Sequence, residues 1–333
     1  MTKTLMQLLK WPRGNGSQNA GSSNPKDSTN TRLLKWDEVD EYQQSNPFIR
    51  SGYRGRLNLP SCLLSTLSFH NETINIWTHL LGFIFFLVLL VRDVVVLPSL
   101  TSVAEITLAD LLVLVGMLVC YQACMILSSL FHTFTCHSKT VSERCLSLDL
   151  IGITLALLAT YLSGIYFAFG CHAWWRDFYL YTVGGIFALA AGAQLHPRFS
   201  QENYAPFRIG LFVLWAAYGI IPTLHWVWLH SGGNDGANSP IVSLMLPRIA
   251  VMYALCGIGF LFYITKLPER AVPGLVDIIG HSHQWWHIFI FLALLFWHQT
   301  GVNLALYHIQ AGCGGQEDRV SEEVMAELRM WPF

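Results

Sequence analysis

The sequence predicts an all-α integral membrane protein: a seven-transmembrane helix bundle with its N-terminus cytosolic and its C-terminus lumenal or extracellular. Three observations carry that expectation. Of 333 residues, 53% are hydrophobic and only 12% charged, a composition too apolar for a soluble domain. Apolar runs recur at about 75–97, 107–133, 146–168, 178–195, 209–230, 241–265 and 284–307, each near the roughly 20 residues that cross a bilayer as a helix. Threading those spans puts fifteen of the twenty Lys and Arg residues on the N-terminal side, which the positive-inside bias assigns to the cytosol. That orientation is opposite to the G-protein-coupled receptors, and the seventh run has no lysine to hold a retinal Schiff base.

Taken in order, residues 1–32 read as a disordered cytosolic arm, because 13–31 are rich in Gly, Ser and Asn and offer nothing to bury. The first eleven residues stop short of a signal-peptide core at Lys10 and Pro12. Residues 33–72 form a juxtamembrane segment in which Leu33, Trp36, Val39 and Tyr42, spaced by three, fit one face of a short surface helix. The bundle follows over 73–308. Its first span is expected to leave the hydrocarbon near Val91, with Arg92 and Asp93 in the interface. Residues 309–333 make a lumenal tail with a short helix starting near Ser321. A net charge of -1 argues against a nucleic-acid partner. The eight cysteines show neither CxxC pairs nor a disulfide framework, and most read as small buried hydrophobes. The sequon Asn71-Glu72-Thr73 falls on the cytosolic side and is expected to stay unglycosylated. Tryptophans near the span ends, Trp77, Trp174, Trp175, Trp226, Trp228, Trp285 and Trp286, suit an interfacial belt.

Ionisable side chains inside spans are costly, so each is a candidate for a site. Three places stand out: SSLFHTFTCHS with Ser128 and His132 one turn apart, CLSLDLIGI with Asp149, and HSHQWWH with His283 and His287. The second span runs toward the cytosol and the third and seventh start there, so these residues share a depth. His283 and His287 at i and i+4 lie on one helical face, about 6 Å apart along the axis, and both imidazoles can reach one metal. With His132 they form three neutral imidazoles with an open fourth position, the donor set of a catalytic-type Zn²⁺. Asp149 is either a further ligand or the acceptor that orients the metal's water and serves as its base. Gln284 and Trp286 are expected at the rim of the site, while His79, His225 and His298 read as helix-packing hydrogen bonds.

SGYRGRL, SFHNETINIWTHLLG, SLFHTFTCHS, SLDLIGI, IPTLHWVW, KLPERAVPG and SHQWWH, collinear from about Asn46 to Gln299, resemble the progestin and adipoQ receptor family, also called adiponectin-receptor-like or hemolysin-III-related. The resemblance implies a seven-helix bundle holding zinc on His132, His283 and His287, with Asp149 carrying the water and Ser128 lining the site. Its Golgi branch implies a multi-pass protein of the Golgi membrane that tethers Raf kinase through the cytosolic N-terminal region and damps signalling to the mitogen-activated kinases. Its likeness to the alkaline ceramidases implies an alternative, a zinc hydrolase of lipid amides such as ceramide, with catalytic Asp149 and Ser128. A third reading is a surface receptor for a lipid or adiponectin-like ligand.

Overall fold

The structure, a computed structural model, describes residues 32–100, 106–196, 202–230 and 239–313. The polar arm and the tail beyond Cys313 lie outside the described residues. Among them the chain is helical, and seven stretches are long and apolar enough to cross a membrane. A short helix α1 (Leu59–Ser65) precedes α2 (Thr73–Leu100), α3 (Leu108–Phe134), α4 (Lys139–Ala168), α5 (Ala173–Leu195), α6 (Ala205–Tyr218), α7 (Ile220–His230), α8 (Pro240–Thr265) and α9 (Ser282–Ala311). The fifth span is α6 and α7 together, broken at Gly219. There the Tyr161 hydroxyl donates to Trp215 O at 2.6 Å and accepts from Gly219 N at 3.1 Å. A Cβ on Gly219 would collide with the Tyr161 and Tyr253 hydroxyls, so glycine lets two tyrosines satisfy the backbone freed by the break.

Helix ends follow their sequences. Thr107 and Asp110 make a capping box at α3, and the Ser138 side chain caps α4 by accepting from Val141 N. A close crossing joins α3 to α4, where a Cβ on Gly152 would lie 2.9 Å from the Cys124 Cα. A small residue is what lets two membrane helices approach so closely. Helix α9 packs against α8, α4, α2 and α3 and is the most enclosed span, half of its apolar window being buried. Of its histidines, His287 and His298 are buried and His283 is partly so.

Several expectations need correction. Arg92 and Asp93 do not end the first helix: α2 continues to Leu100, and Asp93 is buried against protein. His298 Nε2 donates to the Asp93 carboxylate at 2.6 Å and Arg92 contributes two further bonds, so the charge is paired inside the bundle. Residues 33–42 do not form one helix but two single 3₁₀ turns, Trp36–Glu38 and Glu41–Gln43. The Gln44 amide donates to the carbonyls of Trp36 and Val39, competing with helical bonding there. Trp36 and Leu34 instead pack on a small core of Val39, Ile49 and Tyr53, closed by a Leu34–Tyr53 antiparallel bridge. The short helix α1, capped by Asn58, and the turn after it leave Leu63, Leu64, Leu67 and Phe69 exposed, a pattern that suits a segment at the membrane interface. Trp226 is core, whereas Trp174 and Trp228 are exposed as a belt requires. Cys171 and Cys313, which sequence spacing did not pair, are joined by a disulfide between the ends of α4 and α9.

Candidate metal centre

The site is assembled at one end of the bundle by the last turn of α3, the first turns of α9 and the residues entering α2. One ring nitrogen from each of His132, His283 and His287 lies within 4.8 Å of the other two. The Nε2 atoms of His283 and His132 are 3.4 Å apart, and those of His287 and His283 are 3.2 Å apart. Two nitrogens on one tetrahedral ion at 2.0–2.1 Å stand about 3.3 Å from each other. The cluster therefore has the spacing of a coordination sphere, and it could hold a metal. As hydrogen bonds alone, both contacts would fall on the single Nε2 of His283, which can answer only one of them as donor.

The surrounding contacts fix which nitrogens point inward. His132 Nδ1 meets the Glu72 carboxylate at 2.8 Å, so that ring donates from Nδ1 and presents Nε2 to the cluster. The carboxylate in turn accepts from the Asn75 amide at 2.6 Å. Burial alone would raise the Glu72 carboxyl, but His132 and Asn75 beside it hold it below the ordinary carboxylate range. Its backbone is held as well, because Glu72 N donates to His70 Nδ1 at 3.1 Å while the other nitrogen of His70 bonds Ser65 O. Burial first, then the Arg54 charge, brings His70 down to about 4, so it stays neutral and keeps an acceptor for Glu72. His287 stacks on His79, the ring centroids 3.8 Å apart. Ser128 places its hydroxyl on the Asp149 carboxylate, which lies near His132. Asp149 is not within the mutually close set.

Two more buried charges hold the elements that carry the ligands. The Arg54 guanidinium donates to His132 O at 2.6 Å, Thr133 O at 3.0 Å and the Ser65 hydroxyl at 2.8 Å. It thereby neutralises carbonyls at the C-terminal end of α3, where a cation also meets the helix dipole favourably. Glu269 lies in the connection before α9 and is fully buried. Its carboxylate accepts from Ser282 N at 2.7 Å, from the Ser282 hydroxyl and from the Asn46 amide at 2.9 Å, capping α9 one residue before His283. Gln284 does not face the cluster as expected: its amide donates to Ile278 O at 2.7 Å and fixes the entering loop. Trp286 packs on Phe260 and Tyr263 of α8. His298 makes its expected packing bond, to Asp93, and His225 bonds Tyr179.

Sequence reasoning thus reached the imidazoles but missed Glu72, Arg54 and Glu269. The only signal available was their position inside the motifs NETINIWTHLLG, SGYRGRL and KLPERAVPG.

A family model described as haemolysin-III related matches residues 67–298. The chain is 39% identical over 284 residues to progestin and adipoQ receptor family member 3 of both mouse and human, covering 85% of this chain and 89% of each relative. It is 32% identical to heptahelical transmembrane protein 1 of Arabidopsis thaliana, over 84% of this chain and 83% of that one. It is also 30% identical to the adiponectin receptor protein of Drosophila melanogaster, over 84% of this chain and 61% of the relative.

Proposed function

The chain belongs to the haemolysin-III-related family, that of the progestin and adipoQ receptors, and from that membership we propose a seven-helix, receptor-like protein of the Golgi membrane that tethers Raf kinase at its cytosolic face. In this role it damps signalling from Raf to the mitogen-activated kinases, and zinc braces the bundle. The carrying observation is that the segment before the first span is a built surface rather than a loose arm. It has its own small core and is fastened to the bundle mouth by Asn46 on Glu269 and by Ser51 on Asp277 at 2.8 Å.

Two independent features support its placement in the cytosol: the excess of basic residues on that side, and the Cys171–Cys313 disulfide at the far end, since such bonds persist in oxidising compartments. Three imidazoles backed by a carboxylate suit zinc, which when bound supplies Lewis acidity and a tie between α3 and α9.

Deleting residues 33–70 would also remove Arg54 and so confound a test. The test instead reverses exposed carboxylates, Asp37→Lys, Asp40→Lys and Glu41→Lys together, in the full chain. Raf recovered on Golgi membranes should fall about tenfold, equivalent to about 1.4 kcal/mol, with zinc content unchanged. Undiminished Raf would assign the docking surface elsewhere.

The contact of Ser128 with Asp149 beside His132 favours a second reading, hydrolysis of a lipid amide such as ceramide. Asp149 would take the proton of the attacking water, and Ser128 would donate to the oxyanion developing on the carbonyl. Fatty-acid release from labelled ceramide should then drop at least 100-fold in Asp149→Asn. Equal release from both proteins would end this reading.

A further inference from the structure

Cys62 on α1 and Cys136, two residues beyond the end of α3, are both fully buried, and their sulfurs stand 3.7 Å apart. They are held in register by the backbone around them. Leu57 N donates to Cys136 O at 3.4 Å, His137 Nδ1 bonds Leu57 O at 2.8 Å, and the Arg56 guanidinium donates to His137 O at 3.2 Å. The two thiols thus meet because the chain on either side of each is already fastened to the other. A disulfide needs its sulfurs about 2.05 Å apart, so closure asks them to approach by only about 1.7 Å, within the reach of side-chain rotation.

We propose that Cys62 and Cys136 are a reversible oxidation site, a thiol pair that a hydroperoxide converts to a disulfide locking α1 to the C-terminal end of α3. The chemistry balances without another reactant. The Cys136 sulfur attacks one peroxide oxygen, the O–O bond breaks, and the thiol proton leaves with the other oxygen as water, giving a sulfenic acid. The Cys62 sulfur then displaces the sulfenic oxygen, which departs as a second water with the Cys62 proton, and the S–S bond forms. Two thiols lose two electrons, and one hydrogen peroxide is reduced to two waters.

The surroundings assign the order of attack. The hydrogen bond between the two sulfurs, followed by the Arg54 guanidinium, brings Cys136 down despite burial, whereas the same bond and burial push Cys62 up. Cys136 is therefore assigned as the attacking sulfur and Cys62 as the resolving thiol, an order that the Cys62→Ser variant tests. The remaining described cysteines provide an internal contrast. Cys120, Cys124, Cys145 and Cys256 are free, with Cys256 bonding the Met252 thioether rather than a second thiol, while Cys171 and Cys313 are already bonded. Hydrogen peroxide suits a sealed pair because it is scarcely larger than water. The lock would join the docking segment of the proposed tether to the helix carrying His132, but the oxidation itself does not depend on that reading.

The test uses the full-length protein in mild detergent, purified with its thiols reduced and then exposed to hydrogen peroxide. Free thiols are blocked with N-ethylmaleimide under denaturing conditions, and the protein is digested without reductant for mass spectrometry. A peptide pair linking Cys62 to Cys136 should appear in the majority of chains and vanish with dithiothreitol. In Cys62→Ser, Cys136 should instead accumulate a dimedone-reactive sulfenic acid. Recovery of both wild-type cysteines as separate alkylated or over-oxidised peptides, or of either joined to a different cysteine, would overturn the proposal. Because the primary measurement is on wild-type protein, misfolding of a variant cannot imitate the expected result.

Discussion

Replacing His287 with alanine is expected to take the purified protein from about one zinc per chain to near zero, because two imidazoles remain where a zinc site needs at least three protein ligands. His132→Ala and His283→Ala should behave alike, since the observed spacings make the three nitrogens one cluster. Glu72→Gln should be graded rather than absolute. It keeps the shape and a hydrogen-bond acceptor for His132 but removes the negative charge behind the ring, and loss of such a partner typically weakens metal binding 10–100-fold. Metal analysis of protein purified in mild detergent, followed by competition with a chelator of known affinity, separates the two classes. Zinc retained at the wild-type level in His287→Ala would sink the three-imidazole site. A folded wild-type protein that takes up no zinc would leave the histidines as a packing cluster and remove the hydrolase reading with it.

The second large effect is expected at Arg54. Alanine there deletes three hydrogen bonds from a charged donor and leaves His132 O and Thr133 O without their partner at a buried helix end. At roughly 1.5–3 kcal/mol for a bond to a charged group, and allowing for partial rescue by water, the loss is on the order of 3–5 kcal/mol. Arg54→Lys should recover only part of it, because an ammonium keeps the charge but not the planar fork that spans two carbonyls and a hydroxyl. Thermal unfolding in detergent reads the difference. The chelator should also strip zinc faster from Arg54→Ala, since the carbonyl it releases belongs to His132. An unchanged melting temperature would show that Arg54 does not staple the segment to the bundle.

These two experiments probe parts of the protein that were unequally visible in the sequence. The spans were legible because hydrophobic length is a one-dimensional property: all seven runs recur as helical spans, though the third begins seven residues earlier, at Lys139, and the fifth is broken at Gly219. His283 and His287 were legible because they are four apart on one helix, and His132 because helix direction sets its depth. The partner of Asp93 was illegible for a related reason. A charge late in an apolar run looks like an interface marker until its partner is known, and His298 is 205 residues away. Glu72, Arg54 and Glu269 were hidden more deeply, since each acts through a contact to another segment and carries no periodic signal of its own. Glu72 was even seen, but as the middle of a sequon whose Asn71 proves to be buried. The 3₁₀ turns at 36–43 show the opposite error, a spacing of three that suggested a continuous helix but was divided by a glutamine amide that sequence reading did not weigh.

The disulfide between Cys171 and Cys313 has a consequence in time rather than in space. Its partners are 142 residues apart, one just past the third span and the other just past the seventh. The bond cannot close until the ribosome has delivered the final helix and that helix has threaded through the bilayer, bringing Cys313 to the same side as Cys171. It therefore records completion. A chain stalled after six spans, or one whose last helix fails to insert, keeps a free thiol at Cys171. With that side lumenal, as the proposed orientation has it, such a thiol is a handle by which thiol-dependent quality control can tell an unfinished molecule from a finished one.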